Sequence, residues 1–248
     1  MRNKIIIVIC CLSSLSLKAQ YDGKDENIAS RFRPGFMWFY TGVRPAKVEK
    51  PRKYDRLIFD VTYNDWNGDR NLFQNTGLSI GLNTNLMFDV PITLGNTIAL
   101  GIGVSHQYIS ISHGNHLVKN ETDRTTTYSE KTDLDAFKKS QLSGNNFAIP
   151  IELRFRKESW RHLKFHVGGK IGYQANLYNK YVVGSGNSKD VVKNYGFFDQ
   201  NELTYSAHVR VGLRNWALFG SYNFNPLFSN VNSTQLNLVQ LGLSISLY

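Results

Sequence analysis

The charged residues of this 248-residue chain fall at even spacings. Glu152, Arg154 and Arg156 are two apart, Lys164 and His166 are followed by Lys170, and Glu202 precedes His208, Arg210 and Arg214 in the same parity. Asp60 and Asp89 lie on the polar side of two further alternating runs. Residues separated by two point to one face of a β-strand, so these twelve side chains form one polar ladder. Inside a closed sheet opposite charges must pair, because an unpaired buried charge is costly. A salt-bridged plug is expected; a wet path past the basic excess would instead conduct anions.

A second set is His106, His113 and His116. Outer-membrane proteases, palmitoyl transferases and deacylases place His, Asp or Ser near an outer rim, and two histidines in His113-Gly114-Asn115-His116 could share a metal ion. No third ligand or nucleophile stands at a compelling spacing. These histidines are read as solvated loop residues, and neither catalysis, metal nor cofactor is expected.

The element that positions the ladder is the strand. Thr76–Val90 alternates throughout, with Leu78, Ile80, Leu82, Leu86, Phe88 and Val90 opposite Gly77, Ser79, Gly81, Asn83, Asn85 and Asp89. That period of two is a β-strand about twice the usual length, long enough for a tilted membrane crossing. The same pattern recurs around Leu57–Asn64, Ile98–Tyr108, Phe147–Arg156, Leu163–Leu177, Glu202–Arg214, Trp216–Asn225 and Val239–Leu247, with Phe219 out of pattern. In the fifth of these eight runs Leu177 is assigned to the apolar face and Asn176 to the polar one. The connections alternate long and short, the longest being the mixed-charge stretch Ser112–Asn145, read as a mobile, solvated loop. Long loops at one rim and short turns at the other are the asymmetry of outer-membrane barrels, with both termini in the periplasm.

The first nineteen residues read as a cleaved secretory signal: Arg2 and Lys4, the apolar run Ile5–Leu12, then Ala19 before Gln20. Cys10 and Cys11 raise a lipoprotein alternative, but Ile9 is not the small residue that a lipid-attachment site needs. Both cysteines leave with this leader, so no disulfide chemistry is expected. Loss of Arg2, Lys4 and Lys18 lowers the formal charge from +10 to +7. Such a basic chain suits anionic headgroups, and the lack of a basic-aromatic motif argues against nucleic acid. No run of eighteen apolar residues follows the leader, so the crossing elements are strands.

A secreted barrel of the lipocalin kind is the main rival. Glycines on the polar face (Gly77, Gly81, Gly101, Gly103, Gly168, Gly172 and Gly212) suit the crowded interior of a narrow barrel instead. Aromatics near strand ends, among them Tyr63, Trp66, Tyr108, Trp160, Tyr178, Trp216, Tyr222 and Tyr248, suit two headgroup-level girdles. The chain ends in Gln240-Leu-Gly242-Leu-Ser-Ile245-Ser-Leu247-Tyr248, which is similar to the terminal β-signal read by the β-barrel assembly machinery.

With these features together, residues 56–248 resemble the small outer-membrane β-barrel proteins of the PorT-like group, which share the OmpA/OmpX-like architecture. The resemblance implies an all-β, eight-stranded antiparallel up-and-down transmembrane barrel in the cell outer membrane. Some members of the group are implied in type IX secretion and gliding. Residues 20–55 lie outside the barrel pattern as a periplasmic segment rich in aromatics and Arg. Within it, Arg33, Phe36, Trp38, Phe39, Tyr40 and Arg44 are a candidate docking surface for an envelope partner. The expected role is a structural or accessory subunit of an envelope assembly, in contact with outer-membrane lipid; a small channel and a rim-active enzyme are the alternatives.

Overall fold

A computed structural model describes residues 55–69, 77–93, 97–129, 137–157, 163–183 and 190–247. The residues read as a leader, the candidate docking segment and Tyr248 lie outside these residues. The strands are β1 (Leu57–Gly68), β2 (Ile80–Pro91), β3 (Ile98–His113), β4 (His116–Asn120), β5 (Thr125–Ser129), β6 (Phe137–Arg156), β7 (Leu163–Val183), β8 (Asp190–Tyr195), β9 (Leu203–Leu213), β10 (Trp216–Asn223) and β11 (Leu236–Ser246). Eight of them close a barrel in the order β1-β2-β3-β6-β7-β9-β10-β11, all antiparallel. Closure runs from Ile58 opposite Ser246 to Gly68 opposite Leu236. Because every edge in the ring is paired, the backbone can sit in hydrocarbon with its hydrogen bonds satisfied.

The outer face carries the apolar half of each alternation. Val104, Ile149, Ile171, Val211, Leu218 and Leu243 are all at least 45% exposed, so a continuous band of aliphatic and aromatic groups faces outward. The inner half is polar and buried, with Asp60, Asn83, Asn85, Glu152, Arg154, His166 and Arg210 nearly inaccessible. That inversion of the soluble pattern excludes the lipocalin-like alternative and is the arrangement of a membrane-spanning barrel.

Three strands overshoot the band. β3, β6 and β7 have 16, 20 and 21 residues, against 11 and 8 in β9 and β10. Their upper ends carry a cap at the loop rim, which corrects the reading of Ser112–Asn145 as a solvated loop. Within that stretch β3 runs on to His113, β4 and β5 form a hairpin, and β6 starts at Phe137. The run expected from Thr76 is strand only from Ile80.

A bulge changes the parity of β7. Asn145 pairs with Asn176 and Asn146 with Gln174, which leaves Ala175 extra. Below it the even residues Lys164 to Gln174 point inward; above it Leu177 and Asn179 do, while Asn176 is exposed. The sequence expectation for Leu177 and Asn176 is therefore reversed, because one inserted residue moves every later side chain to the other face.

Candidate functional site: a sealed, three-tiered lumen

The tier nearest the short turns is charged. Arg210 clamps Asp60 with two prongs, Nε to Oδ1 at 3.1 Å and Nη2 to Oδ2 at 2.9 Å, and its Nη1 also donates to Glu152. Asp60 further accepts from Asn85 at 2.9 Å and Ser244 at 2.7 Å. Glu152 also meets Arg154 Nε at 3.0 Å and His208 Nε2 at 2.8 Å. Arg154 Nη1 reaches Asp89 at 2.6 Å, and Arg156 Nη2 holds the other oxygen of that carboxylate at 2.6 Å. A Cβ on Gly101 would lie 2.6 Å from Arg154 Nε, so this glycine makes room for the guanidinium.

Asp55 belongs to the same tier, although the sequence reading left it in the segment before the barrel. Its buried carboxylate lies 3.2 Å from Lys164 Nζ and 3.5 Å from Arg156 Nε, and its carbonyl accepts from Arg154 Nη1 at 3.0 Å. His166 stands 3.8 Å from both Asp55 and Glu152, beyond hydrogen-bond range. Four carboxylates thus face five cations, and the surplus is Lys170. Its buried Nζ finds no hydrogen-bond acceptor among the described residues and lies 5.2 Å from the ring centre of Phe219.

Phe219, out of pattern in the sequence, is buried inside as a ring shared by Lys170 and Arg210, whose guanidinium carbon lies 5.0 Å from its centre. Such contacts offset part of the cost of a desolvated cation. Glu202 is corrected out of the network, whereas Arg214 stands at its turn-end edge. Glu202 is exposed just before β9 at the loop rim, and Arg214 is half-buried in the turn joining β9 to β10. Even spacing assigns a face but not a height, and Glu202 lies at the loop end of β9, far from the charges at the turn end.

Above the charges lies a neutral tier of amides and hydroxyls. Asn64 Oδ1 accepts from Thr62 Oγ1 at 2.9 Å and from Gln240 Nε2 at 3.0 Å, and Asn146 Nδ2 donates to Gln107 at 2.9 Å and Thr204 at 3.0 Å. Higher still the interior turns apolar. Ile109, Ile111, Leu142 and Leu177 from the overshooting strands and Leu238 from β11 meet Leu117 and Tyr128 of the β4–β5 hairpin, with Phe197 and Phe228. Trp66, assigned by sequence to a girdle, is buried in this core. A crevice beside it, between Gln174, Asn225 and Leu238, has about 20 Å³, room for one water molecule.

His113 is corrected from a solvated loop residue to a buried one. Its Nδ1 lies 3.0 Å from the carbonyl of Asn115, which fixes Nδ1 as the donor, and Nε2 lies 3.3 Å from both Ser140 Oγ and Asn179 Oδ1. The ring packs edge-on against Tyr128 at 5.0 Å. Burial pushes the His113 pKa down to about 4 and raises that of the Tyr128 phenol. The side chain of His116 lies outside the described residues. His106 is half-buried and touches Asn145 Oδ1 at 3.1 Å and the ring of Phe147. Among the described residues no three His, Cys, Asp or Glu side chains gather in a metal-binding group.

Asp199 closes the cap. Its carboxylate accepts from Thr126 N at 3.1 Å, from Thr126 Oγ1 at 2.6 Å and from Ser233 Oγ, tying the hairpin to two loops. The terminal motif also has a structural role: a Cβ on Gly242 would fall on the carbonyl oxygen of Val61 in β1. Gln240 points into the neutral tier, while Ile245 and Leu247 are half-buried at the turn end.

A closed eight-stranded antiparallel barrel with an apolar outer band and a filled polar lumen is an outer-membrane-type β-barrel. Among solved structures the chain is similar to Ail, the attachment invasion locus protein of Yersinia pestis, at 13% identity and a TM-score of 0.31, over 77% of this chain and 95% of Ail. The complex of Ail with the heparin analogue sucrose octasulfate matches at 11% identity and a TM-score of 0.30, over 77% and 96%. No family model and no curated protein matches the chain.

Proposed function

We propose that this protein is a non-conducting barrel of the cell outer membrane that serves as a structural or accessory subunit of an envelope assembly. The observation that carries this reading is the filled lumen. From Asp55 to Phe228 charged, amide and apolar tiers succeed one another inside the wall. An eight-stranded wall encloses only enough space for side chains, and here they are paired or packed. What is left to engage other molecules is the outside: the capped loop rim, the lipid band and the chain preceding Asp55. In this reading the short turns and both termini are periplasmic, the Gln240–Tyr248 motif is read by the β-barrel assembly machinery, and no catalytic step is performed. The resemblance to the PorT-like group makes a secretion-related assembly the first partner to seek.

The test joins two measurements on the full chain. In planar bilayers the protein should give no unitary current, and gently solubilised outer membrane should yield it with a stoichiometric envelope protein. Regular current steps would replace this reading with a channel. An isolated monomer whose deletion alters the lipid profile would replace it with a rim-active enzyme.

A further inference from the structure

The wall has one open edge, and it stands in water. The outward apolar band ends at Phe147 and Tyr173, below the polar rung of Asn145 and Asn176. Beyond that rung β6 and β7 continue at the level of the cap, and β8 joins β7 on the side that β9 holds lower down. Among the described residues β8 pairs with β7 alone, so its other edge carries no strand.

The ladder determines which groups line that edge. The carbonyl of Tyr195 accepts from Lys119 Nζ of β4, as does that of Gly196 at 3.1 Å, so the Tyr195 carbonyl is turned away from β7. In an antiparallel pair, residues bonded to one neighbour alternate with residues turned away from it. Asn194 and Val192 therefore bond to β7, while the N–H and C=O groups of Lys193 and Val191 face the open edge. The bulge gives the same answer independently. Gln174 N donates to Glu202 O at 2.6 Å, so below Ala175 the even residues of β7 bond on this side; above it the odd residues Asn179 and Tyr181 do, opposite Asn194 and Val192.

The side chains say what this edge can accept. Asn179 and Tyr181 turn inward, which leaves Tyr178 opposite Tyr195, Lys180 opposite Lys193 and Val182 opposite Val191 on the outward face. Two lysines on one rung repel, and among the described residues no carboxylate pairs with either. A second copy of β8 would not cure this. Pairing about a two-fold axis keeps outward residues opposite outward ones, so Lys193 would meet a lysine, a valine or a tyrosine. An edge lysine of this kind guards against self-association.

We propose that the open edge of β8 takes an extended segment of an envelope protein as a further antiparallel strand, with an Asp or Glu opposite Lys193 and apolar residues opposite Tyr195 and Val191. The main chain of that segment satisfies the free groups of Val191 and Lys193, and its carboxylate offsets the lysine rung. This contact rests on the reading of the protein as an accessory subunit and gives that role a place and a chemistry.

The full-length protein in phosphatidylcholine nanodiscs is followed by hydrogen exchange with an excess of the peptide acetyl-Thr-Tyr-Thr-Glu-Thr-Val-Thr-amide. Without peptide the amides of Val191 and Lys193 should exchange freely while those of Val192 and Asn194 are protected; peptide should slow the first two only. Gln in place of the peptide's Glu should weaken binding about fivefold. Lys193→Glu should reverse the preference, favouring a peptide with Lys at the centre. Failure of the peptide to slow Val191 and Lys193 overturns the proposal, as does equal slowing by the Glu and Lys peptides. Protection of both amides before peptide is added would show the edge already covered by the chain itself, and also overturns it. If Lys193→Glu does not fold, the unaltered protein decides with a peptide N-methylated at Glu, which should leave both amides fast; equal slowing by that peptide overturns the strand. An envelope protein that co-purifies stoichiometrically without slowing these two amides overturns the edge contact and leaves the accessory role standing.

Discussion

Arg210 is the residue whose loss the lumen should tolerate least. Its guanidinium serves two buried carboxylates, Asp60 through two hydrogen bonds and Glu152 through a third. Arg210→Met keeps the length and apolar stem of the side chain and deletes only the charge. Glu152 then retains Arg154 and His208, but Asp60 keeps only the neutral donors Asn85 and Ser244. Removing one partner of a buried pair costs about 3–5 kcal/mol. An independent ceiling comes from neutralisation, since protonating a carboxyl of ordinary acidity at pH 7 costs about 4 kcal/mol. Both routes give an expected loss near 4 kcal/mol. Asp60→Asn should cost less, because Arg210 then still holds Glu152. The double change should be better than additive by about 2 kcal/mol, since neither charge is left alone. Guanidinium unfolding in vesicles, followed by tryptophan fluorescence, measures all three. A loss under about 1 kcal/mol for Arg210→Met, or strict additivity in the pair, would refute the view that this clamp seals the barrel.

Two further expectations concern the cap. His113 is neutral when folded, with a pKa near 4 against 6.5 when unfolded, so the unfolded chain takes up the proton first. The associated stability is complete above about pH 6.5 and falls as pH drops to 4, by about 3 kcal/mol; hydrogen exchange of β4 and β5 across that range should show the loss, and His113→Phe should abolish it. Asp199→Ala removes a carboxylate that accepts from Thr126 and Ser233 and should loosen the hairpin by about 3 kcal/mol. Limited proteolysis should then cut the 121–124 turn while the barrel strands keep their exchange protection, and unchanged resistance there would count against the clasp.

The alternation of apolar and polar residues carries nearly all of the barrel wall, because a two-residue period with one face in lipid leaves no freedom of register. What it misses depends on single residues or on contacts between distant ones. The bulge at Ala175 has no sequence mark, yet it turns Leu177 inward. Phe219 breaks the polar pattern because the lumen holds a surplus cation, Lys170, that a ring can face. Asp55 lies one residue before the alternating run, and only closure of the barrel brings it to Lys164 and Arg156. Its short distance in sequence from Arg56 was legible, but its height in the lumen was not. His113 looks like a loop histidine until β3 is seen to continue past the membrane band and β4–β5 to fold over it.

The tiers also explain why the two ends of the interior differ in kind. At the turn end the strands stop with the lipid band, and among the described residues nothing covers that end, so polar side chains satisfy one another within the wall. At the loop end β3, β6 and β7 rise beyond the band, where water and not lipid surrounds the wall. There an apolar interior is favoured as in a soluble protein, provided that a lid excludes water. Hairpin β4–β5, held by Asp199, is that lid. The charged tier ties β1, β2, β6, β7 and β9 together across the lumen, so breaking it weakens the whole barrel. The cap is joined to the barrel by its own small core and by the Asp199 hydrogen bonds, so it can loosen alone. Arg210→Met should therefore lower protection in every strand, whereas Asp199→Ala should lower it in β4 and β5 only. A partner at the loop rim would meet a surface that can rearrange without disturbing the seal beneath it.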